Sequence, residues 1–300
     1  MFSGVITALV TPFISRNLSS GVFSYEIDWQ SFENLIEWQL AEGIDGFVLY
    51  GTTGESATLS VEEKLEITRR TKDMVRGRVP LIVGAGTNST EGTIRFIEGV
   101  KSLKPDGVLA VAPYYNRPSQ EGMYQHFSRI AREGGLPVML YNVPSRTASE
   151  ISIETVKRLS EIDNIVAIKQ ASDSVSNLGE LCSALSGSKK VSVMSGEDTS
   201  TLYTMLVGGS GVVSACANCL PREMKRIVDA AIRNDWTEAT KAQLEAHEKI
   251  KAVYIESNPA PAKAILHMMG KITSPELRLP MVQVSKENYS RLENIFGGQS

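Results

Sequence analysis

The chain is 300 residues long, 42% hydrophobic and 22% charged, enough to bury a full core without disulfide or metal staples. Its net charge of −3, with no long run of one sign, argues against a nucleic-acid partner, whose phosphates call for clustered Lys and Arg. No apolar run reaches the ~18 residues that would suggest a membrane span, and the apolar residues 1–13 lack the basic residues that open a signal peptide, so they read as a first strand.

Strand-like and helix-like stretches then alternate. Residues 4–9 form a short apolar run closed by Thr11 and Pro12. The polar residues 15–27, with scattered β-branched and aromatic side chains, predict an extended loop. Asp28 is placed to cap a helix in which Phe32, Leu35, Ile36 and Leu40 recur at helical spacing. Residues 46–49 are the next strand. Ser60 and Glu63 have capping-box spacing and lead a helix through Ile67 and Met74. Residues 81–83 form a strand, followed by a helix through Ile94, Phe96 and Val100. The strand over 107–111 precedes a helix over 119–132. The strand over 137–140 is followed by a helix that Ser152 caps and that runs to Leu159. The strand over 165–168 precedes a helix over 178–185. Residues 191–194 form a strand, and Asp198 opens a helix through Met205. Residues 211–213 are the last strand, and Pro221 starts the helix after it.

Eight such units in a row predict an α/β fold, a (β/α)8 TIM barrel over residues 1–232. An open doubly wound sheet also alternates, but the count of eight units and the absence of a nucleotide fingerprint favour the barrel. Gly84-Ala-Gly86 lacks the third glycine, with Ser89 in its place, and reads as a plain turn. Residues 233–300 are helical in pattern, with a break at Asn258-Pro-Ala-Pro261, and predict a C-terminal helical extension packed on the barrel.

Cys182, Cys216 and Cys219 are odd in number and irregular in spacing, which points to a reducing cytoplasm rather than a disulfide framework. Cys216 and Cys219 make a lone C-x-x-C, which reads as two small buried thiols rather than a metal site. His126, His247 and His267 stand far apart, and none ends a strand-like run.

In a TIM barrel the chemistry sits at the C-terminal ends of the strands. Lys169 follows the run over 165–168 without a break and should stand at the top of a buried strand. An ammonium walled by apolar groups loses hydration, which favours its neutral, nucleophilic form. That is what Schiff-base chemistry requires. A lysine merely paired at the strand end, for instance with Glu197, is the plainer reading. It is outweighed by the other groups aimed at the same mouth. Gly51, Thr52, Thr53 and Gly54 form a turn rich in N–H groups and hydroxyls that suits a carboxylate or phosphate, without the lysine of a P-loop. Tyr115 and Tyr141 end strands four and five, where a phenol could relay protons beside an iminium. Arg146 follows Pro144 in a loop and could clamp a carboxylate with two parallel hydrogen bonds. Metal-assisted aldol chemistry usually needs strand-end histidines or paired acids; here a lysine takes that place, so the covalent route is favoured and no cofactor or metal is expected.

The set Gly51-Thr-Thr-Gly-Glu-Ser56, Tyr115, Tyr141-Asn-Val-Pro-Ser-Arg-Thr147 and Lys169 closely resembles the dihydrodipicolinate synthase family. That family lies within the pyruvate-dependent class I aldolases, with N-acetylneuraminate lyase. The resemblance runs from Val5 to about Gly270 in order and at family-like spacing, and its specificity comes from the combination. It implies that Lys169 forms a Schiff base with pyruvate and that Thr52 and Thr53 hold the pyruvate carboxylate. Thr52 would relay protons between Tyr141 and Tyr115, with Tyr115 reaching in from a neighbouring subunit of a homodimer or homotetramer. Arg146 would bind the carboxylate of L-aspartate 4-semialdehyde, and Gly196 and Val213 would line the pyruvate pocket through their backbone. Neither nucleic acid nor membrane is an expected partner. The nearest alternative is another pyruvate aldolase, acting on N-acetylneuraminate or a 2-keto-3-deoxy sugar acid; those enzymes generally lack an arginine at position 146. A non-catalytic metabolite-binding barrel would be expected to have lost the lysine or the relay. The resemblance also bears on feedback by L-lysine. Ser56, Asn88 and Tyr114 match the inhibitor site of sensitive members, but Val61 and Lys64 stand where histidines bind it and Gly92 where a glutamate does, so inhibition is expected to be weak or absent.

Overall fold

The computed structural model describes residues 2–17, 23–171, 174–187 and 191–297. Eight parallel strands close into a barrel among the described residues: β1 (Gly4–Ala8), β4 (Gly46–Leu49), β5 (Leu81–Gly84), β6 (Gly107–Val111), β7 (Val138–Asn142), β8 (Ile165–Gln170), β9 (Ser192–Ser195) and β10 (Gly211–Ser214). β1 closes the ring by pairing with both β4 and β10. Helices follow the strands on the outside: α1 (Trp29–Ala41), α2 (Val61–Val75), α3 (Thr90–Lys101), α4 (Gln120–Gly134), α5 (Pro144–Thr147), α6 (Ile153–Ser160), α7 (Val175–Leu185), α8 (Thr201–Leu206) and α9 (Pro221–Ile232). Three more, α10 (Trp236–Ala252), α11 (Ala260–Met268) and α12 (Lys286–Phe296), make up the C-terminal segment.

The helix starts follow from side chains that satisfy free backbone N–H groups. Asp28 accepts from Ser31 N at the head of α1, and Ser60 and Glu63 form a reciprocal capping box at α2. Ser119 and Ser152 cap α4 and α6 in the same way, each such cap contributing about 1 kcal/mol. Alternation along the strands sorts the core into two layers. Ile6, Val48, Ile82, Leu109, Met139, Ala167, Met194 and Val213 fill the barrel interior. Val5, Phe47, Leu49, Leu81, Leu140 and Ile168 face outward against the helices.

Residues 15–27 are not the plain loop that the sequence predicts. Phe13–Asn17 (β2) and Phe23–Ile27 (β3) form an antiparallel hairpin, with Phe13 opposite Ile27; positions 18–22 lie outside the described residues. The hairpin is anchored because Phe13 and Ile27 are buried and Arg278 donates to Tyr25 O at 2.7 Å. The expected helix from Asp198 also divides. A 3₁₀ turn covers Asp198–Ser200 and α8 starts at Thr201, because the Asp198 carboxylate is engaged elsewhere rather than capping the helix.

Candidate active site

Alternation alone carries Lys169 to the barrel axis. In β8, Ala167 faces the interior and Ile168 faces the helices, so residue 169 turns inward again. In β7, Met139 and Tyr141 face inward by the same rule. The register pairs Tyr141 with Lys169, and the Lys169 Nζ sits 4.6 Å from the centre of the Tyr141 ring. Lys169 is only 7% exposed, so its amine is enclosed at the mouth of a packed barrel.

The turn after β4 is built around a crowded backbone. A Cβ on Gly54 would meet Tyr50 Cα at 2.7 Å, so only glycine fits there. Tyr50 is itself buried, its phenol hydrogen-bonded to Thr68 Oγ1 at 2.8 Å, and burial raises its pKa above the usual tyrosine value. Thr11 donates to Gly54 O at 2.9 Å, and Asn258 Nδ2 donates to Thr53 Oγ1 at 2.9 Å. Thr52 is exposed at the tip of the turn and Thr53 is buried beneath it. Across the mouth, Gly196 passes so close to the exit of β8 that a Cβ would meet Ala171 Cβ at 2.7 Å; its N–H donates to Gln170 O at 2.7 Å. Arg146 lies on the short helix α5, exposed at the rim.

Thr52, Thr53, Tyr141, Arg146, Lys169 and Gly196 line one pocket. Val213 and Tyr115 are not among its lining residues. Val213 is fully buried in the barrel interior, in register with Ile6 of β1. Tyr115 is 89% exposed, in the left-handed backbone region at φ +72°.

The C-terminal segment contributes two lining residues that sequence reasoning missed, Tyr254 and Asn258. Tyr254 donates to Asp198 Oδ2 at 2.5 Å, and burial together with that carboxylate raises its pKa well above the usual value. Asp198 also accepts from Ser214 Oγ, from Ala215 N at 3.2 Å and from Cys216 N at 3.1 Å, which fixes the exit of β10. The only sequence sign of Asn258 was the Asn-Pro-Ala-Pro break.

Cys182, Cys216 and Cys219 are buried free thiols, and burial raises the pKa of each. Cys219 donates to Ala262 O at 3.3 Å, which ties the barrel to α11. His126 is buried on α4 against Thr90 and does not line the pocket. Among the described residues no helix is long and apolar enough to cross a membrane. The pocket thus offers an enclosed primary amine beside a phenol, a hydroxyl-bearing turn and a guanidinium at the rim. This set can bind a small carboxylate-bearing carbonyl compound covalently, with a second anion at the entrance.

A family model, the dihydrodipicolinate synthetase family, matches residues 1–298. The 4-hydroxy-tetrahydrodipicolinate synthase of Methanocaldococcus jannaschii is 40% identical over 296 residues, 98% of each chain. That of Pseudomonas aeruginosa is 43% identical over 286 residues, 95% of this chain and 94% of the relative. Among solved structures, the chloride-inhibited dihydrodipicolinate synthase of Acinetobacter baumannii complexed with pyruvate superposes with a TM-score of 0.92 at 38% identity. It covers 98% of this chain and 97% of that one.

Proposed function

The chain belongs to the dihydrodipicolinate synthetase family, and from that membership we propose that it condenses pyruvate with L-aspartate 4-semialdehyde to give 4-hydroxy-tetrahydrodipicolinate, through a Schiff base on Lys169. The observation that carries the covalent step is the enclosed Lys169 amine, held over the Tyr141 ring at the barrel axis.

The neutral Lys169 amine adds to the pyruvate ketone, and loss of water leaves an iminium. The cationic nitrogen acidifies the methyl group, which loses a proton to give the enamine. The enamine carbon attacks the aldehyde, forming the carbon–carbon bond, and the new oxyanion takes up a proton. The amino group of the semialdehyde then attacks the iminium carbon, closing the ring and releasing Lys169, so that one water leaves over the whole reaction. Tyr141 moves protons at the carbinolamine and enamine stages, with Thr52 and Tyr115 as partners in the relay. Thr52, Thr53 and the turn N–H groups hold the pyruvate carboxylate, and Gly196 supplies backbone to the same subsite. Arg146 receives the carboxylate of the second substrate at the rim.

Tyr115 serves the pocket of a neighbouring copy, in a homodimer or homotetramer, and its exposure outside the chain's own pocket supports that reading. Residues 1–232 act as the catalytic barrel and 233–300 as an extension packed on it. Three free buried thiols suit the reducing cytoplasm. The direct test is to incubate the protein with pyruvate and L-aspartate 4-semialdehyde and follow the cyclic product by mass. Product formation is expected; turnover of N-acetylneuraminate in its place would favour a sugar-acid aldolase.

A further inference from the structure

We propose that Glu55 and Lys263 are positioning residues, whose buried ion pair lets the C-terminal helices set the backbone of the Thr52–Thr53 turn and with it the affinity for the keto acid. The proposal rests on the pyruvate reading above. Lys263 lies on α11 and is 0% exposed. Its Nζ is 2.5 Å from Glu55 Oε1 and donates to Glu276 O at 2.8 Å. The second carboxylate oxygen of Glu55 accepts from Arg278 N at 3.0 Å. Phe13 lies against both cations, with Lys263 Nζ 4.1 Å and Arg278 Cζ 4.5 Å from its ring centre.

Neither Glu55 nor Lys263 lines the pocket, so any effect on substrate must pass through the turn. Glu55 is the last residue of that turn and sits at φ +55°, ψ 42°, a left-handed conformation that glycine adopts freely and glutamate does not. Its N–H closes the turn on Thr52 O at 3.1 Å. A glutamate held there needs an anchor, and its carboxylate is gripped from two sides by the C-terminal segment. Asn258, from the same segment, holds Thr53 Oγ1 directly.

Burial pulls the Lys263 ammonium down to about 8, against the pull of Glu55. An apolar pair of similar volume often serves stability as well or better, so a buried pair at this place is better explained by the conformation it imposes. The segment also bonds to the turn from its far side: Arg278 donates to Thr58 O at 2.9 Å, just beyond Glu55. The turn is therefore suspended between the barrel and the C-terminal helices.

The test compares wild type with the double variant Glu55→Gln, Lys263→Met, which removes both charges at little change in volume, and with Glu55→Asp, which keeps both charges but shortens the anchor. Three quantities are read: the pyruvate concentration that half-saturates borohydride trapping at Lys169, the KM for L-aspartate 4-semialdehyde at saturating pyruvate, and the thermal midpoint. The double variant should need about tenfold more pyruvate, with the semialdehyde KM unchanged. Glu55→Asp should move the same way by a smaller factor, and it decides the matter if the double variant does not fold. Unchanged pyruvate half-saturation in a folded variant, or an equal rise for both substrates, overturns the proposal. If wild type itself traps no pyruvate, the underlying functional reading fails, and the proposal with it.

Discussion

Truncating Arg146 to alanine separates binding of the second substrate from binding of the first. The guanidinium is exposed at the rim of the pocket on the short helix α5, and it makes no ion pair among the described residues. Its loss should therefore change stability by no more than about 0.5 kcal/mol, as for an ordinary surface substitution. A hydrogen bond to a charged group contributes about 1.5–3 kcal/mol. Because water reaches Arg146, the lower half of that range applies, and loss of a bidentate contact should cost about 2 kcal/mol, roughly a 30-fold drop in kcat/KM for L-aspartate 4-semialdehyde. Arg146→Lys should fall between the two, since an ammonium is a point donor and not a fork. The assay is steady-state kinetics in the semialdehyde at saturating pyruvate, beside a pyruvate titration of borohydride trapping. An equal loss for both substrates, or a lowered thermal midpoint, would refute this role for Arg146.

Tyr115→Phe should lose much of the activity without unfolding, because the exposed ring has little packing to lose; a fully active monomer at low concentration would contradict the cross-subunit role. Burial holds the His126 imidazole down to about 4, against an ordinary 6.5. The unfolded chain then binds the extra proton first, so the stability this group contributes is complete above pH 6.5 and is lost as pH falls toward 4. Denaturant unfolding at pH 7 and pH 4.5 should show about 2 kcal/mol less acid loss in His126→Phe than in wild type, and an identical loss would exclude His126 as the cause. L-lysine should inhibit weakly at most. Glu91, the acid beside Gly92, is paired with Arg129 at 2.5 Å, and Glu63 is held by Arg278 at 2.6 Å, so neither stands ready to face the inhibitor's ammonium. Sub-millimolar half-inhibition in the synthase assay would show that the site has been rebuilt from other residues.

The barrel was legible because its signals are local and repeated: eight apolar runs, each followed by a helical pattern. Lys169 and Tyr141 were legible because strand alternation plus position at a strand end places a side chain at the barrel mouth. The β2–β3 hairpin was missed although Phe23, Tyr25 and Ile27 alternate with Ser24 and Glu26, because the run is short and its partner strand shows no such clean alternation. The sequence has Asp198 open a helix, yet its acceptors are spent on Ser214, Ala215, Cys216 and Tyr254, contacts that no local pattern announces. Asn258 and Tyr254 reach the pocket, and Lys263 the turn beside it, from more than 80 residues beyond Lys169. Spacing carries no information about such contacts; only the packing of the C-terminal helices brings them in.

The central claim is that Lys169 is the amine that takes pyruvate. Borohydride reduction in the presence of pyruvate, followed by peptide mass mapping, tests it directly. The account predicts one reduced pyruvyl adduct per chain, on Lys169, and none in Lys169→Arg, whose guanidinium cannot act as the nucleophile. An adduct on another lysine, or no adduct in a folded and active protein, would contradict it.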